Sequence, residues 1–174
     1  MSPTGPWSRL GAARFTRTSG LMNPVSISCY VVESFADVHA ISAWGETAFF
    51  YNPGRKLPRG VYFATLKSRD GDNDRASDLS REGVFRFNVG ISKSSYSSLF
   101  GRQPPRPAAG GAVNTGHNFT ALDQLMPHPV YAWMSWIAIL NPSSASFECL
   151  KPLLVEAHGL AATKFSKRRL QSEA

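Results

Sequence analysis

The amino-acid sequence predicts an α+β domain: an antiparallel sheet of about five strands with helices packed mainly on one face. Two observations carry this. Segments with helical periodicity and segments with strict alternation follow one another as α-β-β-β-β-α-α-β-α, without the regular strand–helix–strand rhythm of a parallel sheet. The segment VFRFNVGI sets Phe85, Phe87, Val89 and Ile91 against Val84, Arg86, Asn88 and Gly90, which is how a strand reads when one face meets the core and the other meets solvent.

The elements follow in order. Asn23-Pro24 opens a helix over about residues 24–36, because Asn caps backbone N–H groups and Pro at the first position loses no bond. Val25, Cys29, Val32 and Ala36 are its helically spaced apolar residues, with Phe35 beside them. Val38–Trp44 and Thr47–Tyr51 read as strands around a Gly45-Glu46 turn, and Gly60–Lys67 as a third. After the fourth strand, Ser92 caps a short helix carrying Tyr96, Leu99 and Phe100, ended by Gly101. A Pro/Gly-rich loop covers 102–117. Thr120-x-x-Asp123 resembles a capping box and predicts a short helix with Leu122, Leu125 and Met126, stopped by Pro127. The run WMSWIAIL (133–140) is apolar on both alternating sets, as expected of the central strand of the sheet. The last helix carries Phe147, Leu150, Leu154, Ala157 and Ala161 on one stripe, with Pro152 kinking it or marking its start.

The 174 residues, 43% hydrophobic, suffice for one domain core. The formal charge of +7 lies mostly at the ends: +3 in residues 1–21, +3 in 164–174, and only +1 between them. Residues 1–21 are expected to be a disordered extension, 22–165 the folded domain and 166–174 a basic tail. A nearly neutral body argues against a nucleic-acid surface more than the total charge argues for one. No segment has the length and apolarity of a membrane span, and the N-terminal stretch has no apolar signal core. With two isolated cysteines, Cys29 and Cys149, free thiols in a cytoplasmic setting are expected.

Catalytic and metal-binding patterns fare poorly. In DGDNDRASDLSRE (70–82) the acids at Asp70, Asp72, Asp74 and Asp78 match a calcium loop, but Arg75 and Arg81 occupy the places of the obligatory glycine and the closing carboxylate. A hydrated turn between two strands fits better than a metal site. His39, His117, His128 and His158 show no zinc spacing, no serine lies in a nucleophile elbow, and there is no phosphate loop or dinucleotide fingerprint. No metal and no cofactor are expected.

The segments FFYNPGRKLPRGVYFATL, DLSREGVFRFNVGISKSSYSSLFG and FTALDQLMPHPVYAWMSWIAILNPSSASFECLKPLLVEAHGLA resemble a bacterial family known only as a domain of unknown function, over about residues 22–168. More distantly, the order of elements is similar to the MmcQ/YjbR group with its CyaY-like fold, anchored on Trp136. That resemblance implies DNA binding.

The candidate ligand-binding residues are Arg86 and Asn88 on the polar face of the fourth strand, His117 and His128 bordering a cleft under the 101–119 loop, and Trp136. The leading expectation is a non-catalytic binding or interaction module with a small-ligand or protein partner. A DNA-binding protein of MmcQ/YjbR-like type ranks second. An enzyme assembled from His117, His128 and a carboxylate such as Asp78 ranks third.

Overall fold

The structure, a computed structural model, describes residues 20–174; the expected disordered extension lies, up to residue 19, outside the described residues. Gly20 and Leu21 are already joined to the body. The Gly20 carbonyl accepts from Ser144 N and Oγ, and Leu21 bridges Ser143.

The fold is α+β, in the order α1 (Pro24–Ser34), β1 (Val38–Ala43), β2 (Glu46–Tyr51), β3 (Val61–Lys67), β4 (Arg86–Gly90), α2 (Lys93–Phe100), β5 (Met126–Pro127), β6 (Trp136–Leu140) and α3 (Ser144–Ser172). The six strands form one antiparallel sheet in the spatial order β1-β2-β3-β4-β6-β5. The chain crosses from β4 to the far edge, makes the two-residue β5, and returns to lay β6 between them.

One face of the sheet carries the main core. Phe49, Phe63, Phe87, Val89, Ile137 and Ile139 meet Ile27 and Val31 of α1, Tyr96 of α2, and Phe147, Leu150, Leu154, Ala157, Ala161 and Phe165 of α3. Burying each large apolar side chain contributes about 1.5–3 kcal/mol, enough in sum to oppose the entropy of ordering the chain. The α3 stripe is the one the sequence predicts. The helix runs through Pro152 without a break, Ser143 being its N-cap, and residues 166–172 of the basic tail form its last turns. Glu156 of α3 accepts from Ser92 Oγ (2.8 Å) and Ser95 Oγ (2.7 Å) at the start of α2. Burial tends to raise its pKa, but the hydrogen bonds from Ser95 and Ser92 outweigh that and hold it below the usual carboxylate range.

Four expectations need correction. Asn23 caps α1 as predicted, its side chain accepting from Ser26 N, but the buried stripe is Ile27 and Val31; Val25 and Cys29 face outward. The first hairpin turns at Trp44-Gly45, one residue early, where φ of 57° and 79° supplies the two positive values of a tight two-residue loop. The helix expected at 120–126 does not form. Asn118 Oδ1 takes the Thr120 N–H and hydroxyl in a local turn, Asp123 sits at φ 55°, and Met126-Pro127 pair with β6 instead. β6 is covered on both faces as expected, yet β3 and β4 hold the centre of the sheet, and residues 132–134 form a 3-10 turn before β6 begins.

The second face is not open solvent. The 68–85 connection between β3 and β4 folds back over it and inserts Leu79 beside Met126, Ala138 and Leu140, a small second apolar cluster. The stretch expected to be a hydrated turn is therefore a partial cover for the sheet.

Candidate functional site

Antiparallel register decides which side chains meet on this second face. Pairing sets Glu46 opposite Lys67, Ala48 opposite Thr65, Phe50 opposite Tyr62, Thr65 opposite Asn88, Lys67 opposite Arg86, and Gly90 opposite Trp136. A register irregularity between Phe49 and Phe50 lets Tyr62 and Thr65, three residues apart, share the face. Gly90 apart, these residues, with Asp74, His128, Tyr131 and Met134, line a cavity of about 440 Å³, within the size range of small-molecule sites.

Its floor is a polar network. Arg86 is fully buried, against the sequence-based expectation of a solvent-facing residue. Burial is possible because Asp74 meets its guanidinium with both oxygens, at 3.0 Å from Nη1 and 2.5 Å from Nη2. Nη1 also donates to Ser77 Oγ (2.9 Å) and Nε to Asn88 Oδ1 (2.8 Å). Asn88 Nδ2 in turn donates to Thr65 Oγ1 (2.9 Å). Lys67 Nζ lies 3.3 Å from Glu46 and 3.9 Å from Asp74. The other aspartates have separate tasks: Asp70 accepts from Leu79 N and Asp78 from Ser80 Oγ, while Asp72 faces solvent beside Arg75. Among the described residues no group of three or more His, Cys, Asp or Glu side chains is placed to hold a metal ion.

His128, 3% exposed, has one tautomer open to it. Pro129 has no N–H, and the next two backbone donors, Val130 N and Tyr131 N, both reach His128 Nδ1 at 3.0 Å. Nδ1 is thus an acceptor and the ring proton sits on Nε2. Burial, then the charges of Arg86 and Lys67, push the His128 pKa well below its ordinary 6.5, so the ring is neutral. Such a histidine donates from Nε2 and has no free nitrogen with which to accept a proton.

The depressed pKa has a consequence for stability. Above about pH 6.5 the ring is neutral in folded and unfolded chains alike. Below it the unfolded chain takes up the proton first, so His128 removes stability as pH falls, with a slope approaching about 1.4 kcal/mol per pH unit. In His128→Asn, Oδ1 retains the acceptor for Val130 and Tyr131 but does not titrate. Urea midpoints measured below about pH 6.5 are expected to fall less steeply in this variant than in the wild type. Parallel slopes would exclude a buried neutral ring.

The walls are aromatic. Trp136 lies across Gly90, where an added Cβ would sit 2.9 Å from the indole Cε2, and its ring reaches Tyr62 at 5.5 Å between centroids. Phe50 meets Tyr62 edge-on at 5.9 Å. Burial, with smaller contributions from Tyr131 and Glu46, raises the Tyr62 pKa and keeps the phenol neutral.

Of the candidate residues, Arg86, Asn88, His128 and Trp136 therefore surround one cavity. His117 does not join them: it is exposed, bonded to Thr115 Oγ1 and packed on Phe100. Neither His117 nor Asp78 lines the cavity that holds His128, which removes the expected three-residue catalytic grouping. The 101–119 loop contributes no lining residue. It braces the His128 turn from outside, through Val113 N to the Pro129 carbonyl (2.8 Å) and Gln103 to Ser135. Asp74, Lys67, Thr65 and Tyr62 were missed. Thr65 and Lys67 had a readable signal, since they alternate with Ala64 and Leu66 along β3; Asp74 had none, because a loop residue carries no periodicity.

Among the described residues no helix is long and apolar enough to cross a membrane. Searches of curated proteins and of solved structures give no match, so the likeness to the MmcQ/YjbR group gains no support. Residues 22–170, which include every residue of the cavity, match a family of unknown function, DUF6194, and the chain belongs to that family.

Proposed function

We propose that this protein is a non-catalytic module that binds a small, flat organic ligand on the second face of its sheet. The observation that carries this reading is the combination of a buried polar floor with aromatic walls in one cavity of about 440 Å³. Orientation by a few fixed polar groups and affinity from apolar walls is the usual division of labour in small-molecule sites. Binding is favoured over catalysis because the one imidazole in the lining is neutral and already uses its acceptor nitrogen. It is favoured over DNA because both cations of the lining, Lys67 and Arg86, have carboxylate partners and offer no row of free charge to a phosphate backbone.

Ala48 lines the cavity from β2 without belonging to the polar network, so Ala48→Trp fills the space and leaves the floor intact. Flat organic compounds screened by thermal shift are expected to include some that raise the melting temperature of the wild type and have no effect on Ala48→Trp, since a ligand bound only to the folded state must stabilise it. A screen without such compounds, or stabilisation that persists in Ala48→Trp, would defeat the proposal.

A further inference from the structure

Among the described residues, no buried side-chain nitrogen or oxygen lacks a polar neighbour. At His128 Nε2, however, that neighbour is Arg86 Nη2 at 3.4 Å. Nε2 carries the ring proton, and a guanidinium nitrogen only donates, so two donors face each other and neither satisfies the other. Arg86 has already spent four of its five N–H groups, on Asp74 twice, Ser77 and Asn88. The fifth, on Nη2, is left beside the His128 proton. Thr65 adds a third donor: its Oγ1 accepts from Asn88, and its own hydrogen has no acceptor among the described residues. Two of these groups are essentially fully buried and the third nearly so, and all three residues line the same cavity.

A floor that only donates calls for an occupant that accepts. Unpaired buried donors are costly, and a fitting acceptor recovers that cost on binding. The number of donors narrows the class. Asp74 binds both Nη1 and Nη2 and Glu46 pairs with Lys67, so the carboxylates offset the cations of the lining, while His128 Nε2, Arg86 Nη2 and Thr65 Oγ1 still present three donors and no acceptor. Hydrogen bonds from such donors are strongest to an ionised acceptor, and the two oxygens of a carboxylate have lone pairs enough for all three. Phe50, Tyr62 and Trp136 then stand where the rest of the molecule would lie, and their rings suit a flat apolar body.

We propose that the cavity takes a small aromatic carboxylate, its carboxylate oxygens accepting from His128 Nε2, Arg86 Nη2 and Thr65 Oγ1 and its ring lying against Tyr62 and Trp136. The assignment rests on the ligand-binding reading above and adds the chemistry of the ligand.

Two matched pairs of probes test it by titration calorimetry at neutral pH: phenylacetate against phenylacetamide, and indole-3-acetate against indole-3-acetamide. Each pair keeps the ring and exchanges the charged head for a neutral one. The acids are expected to bind about tenfold or more tightly than their amides. That preference should vanish in His128→Asn, which keeps the turn acceptor but withdraws the reaching donor, and should shrink in Thr65→Val. A nitrogen-15 spectrum of the histidine side chains should show the His128 Nε2 proton moving downfield on addition of the acid; this readout requires no substitution. Amides binding as tightly as acids would overturn the carboxylate assignment and leave the cavity reading standing. So would an acid preference unchanged in His128→Asn, since His128 Nε2 would then make no contact with the carboxylate. Failure of all four probes overturns the assignment, with a solvated floor as the remaining account, and the Ala48→Trp comparison then decides separately whether the cavity binds anything.

Discussion

Asp74→Ala is expected to cost about 3–5 kcal/mol of folding stability, among the largest losses from any polar substitution in this chain. Arg86 is buried and Asp74 is its only ion-pair partner among the described residues. Removing the carboxylate strands a guanidinium that cannot give up its proton, with Lys67 left nearby and no longer offset by the shared acid. Arg86→Met should cost less, because the carboxylate it leaves behind is partly exposed and still has Lys67 at 3.9 Å. The double replacement should recover part of the Asp74→Ala loss, as an apolar side chain of similar volume removes the stranded charge. Urea denaturation with an unchanged m-value provides the measurement. A loss below about 1 kcal/mol would mean that the pair behaves as a surface salt bridge.

Phe87→Ala should be comparably damaging, about 3–5 kcal/mol, by an unrelated mechanism. Phe87 is the next residue along β4 and points to the opposite face, where it is fully buried and packs on Phe147 at 6.1 Å between ring centroids. Truncation there opens a cavity between the sheet and α3. Phe87→Leu, which keeps most of the volume, is expected to cost under about 1.5 kcal/mol, and equal losses for the two variants would show that shape and not volume sets the packing. Neighbouring residues of one strand thus support two separate systems, an apolar core and a charge-balanced floor.

The alternation of residues 84–91 was enough to find β4 and to assign its two faces, because strand geometry is local and has a period of two. The fate of the polar face was not legible. Alternating apolar and polar residues look the same whether water or another segment covers the polar side, and the cover here comes from the distant 70–82 stretch, anchored by Leu79 and Asp74. A similar ambiguity misled the reading of α1. Apolar residues occur nearly all round it, so the Val25, Cys29, Val32 set and the Ile27, Val31 set are equally helical, and only the position of the sheet chooses between them. In 120–127, Asn118 outcompeted Thr120 as the local acceptor, and the chain went into a β bridge instead of a helix. Four cavity residues, Arg86, Asn88, His128 and Trp136, were named from the sequence, the first three as polar groups. The rest of the aromatic wall was not, since Phe50 and Tyr62 belong to strands that only the finished register brings beside Trp136.

The segment that closes over Arg86 also neutralises it, and this bears on how a guest of the proposed site would enter. Swinging Asp74 outward would bare an unmatched guanidinium, so that route carries the cost of a broken buried ion pair. On the rim, Tyr62, Tyr131 and Met134 are half-exposed, and none of them neutralises a buried charge. A guest that enters past these two phenols and a thioether would leave the floor beneath them undisturbed.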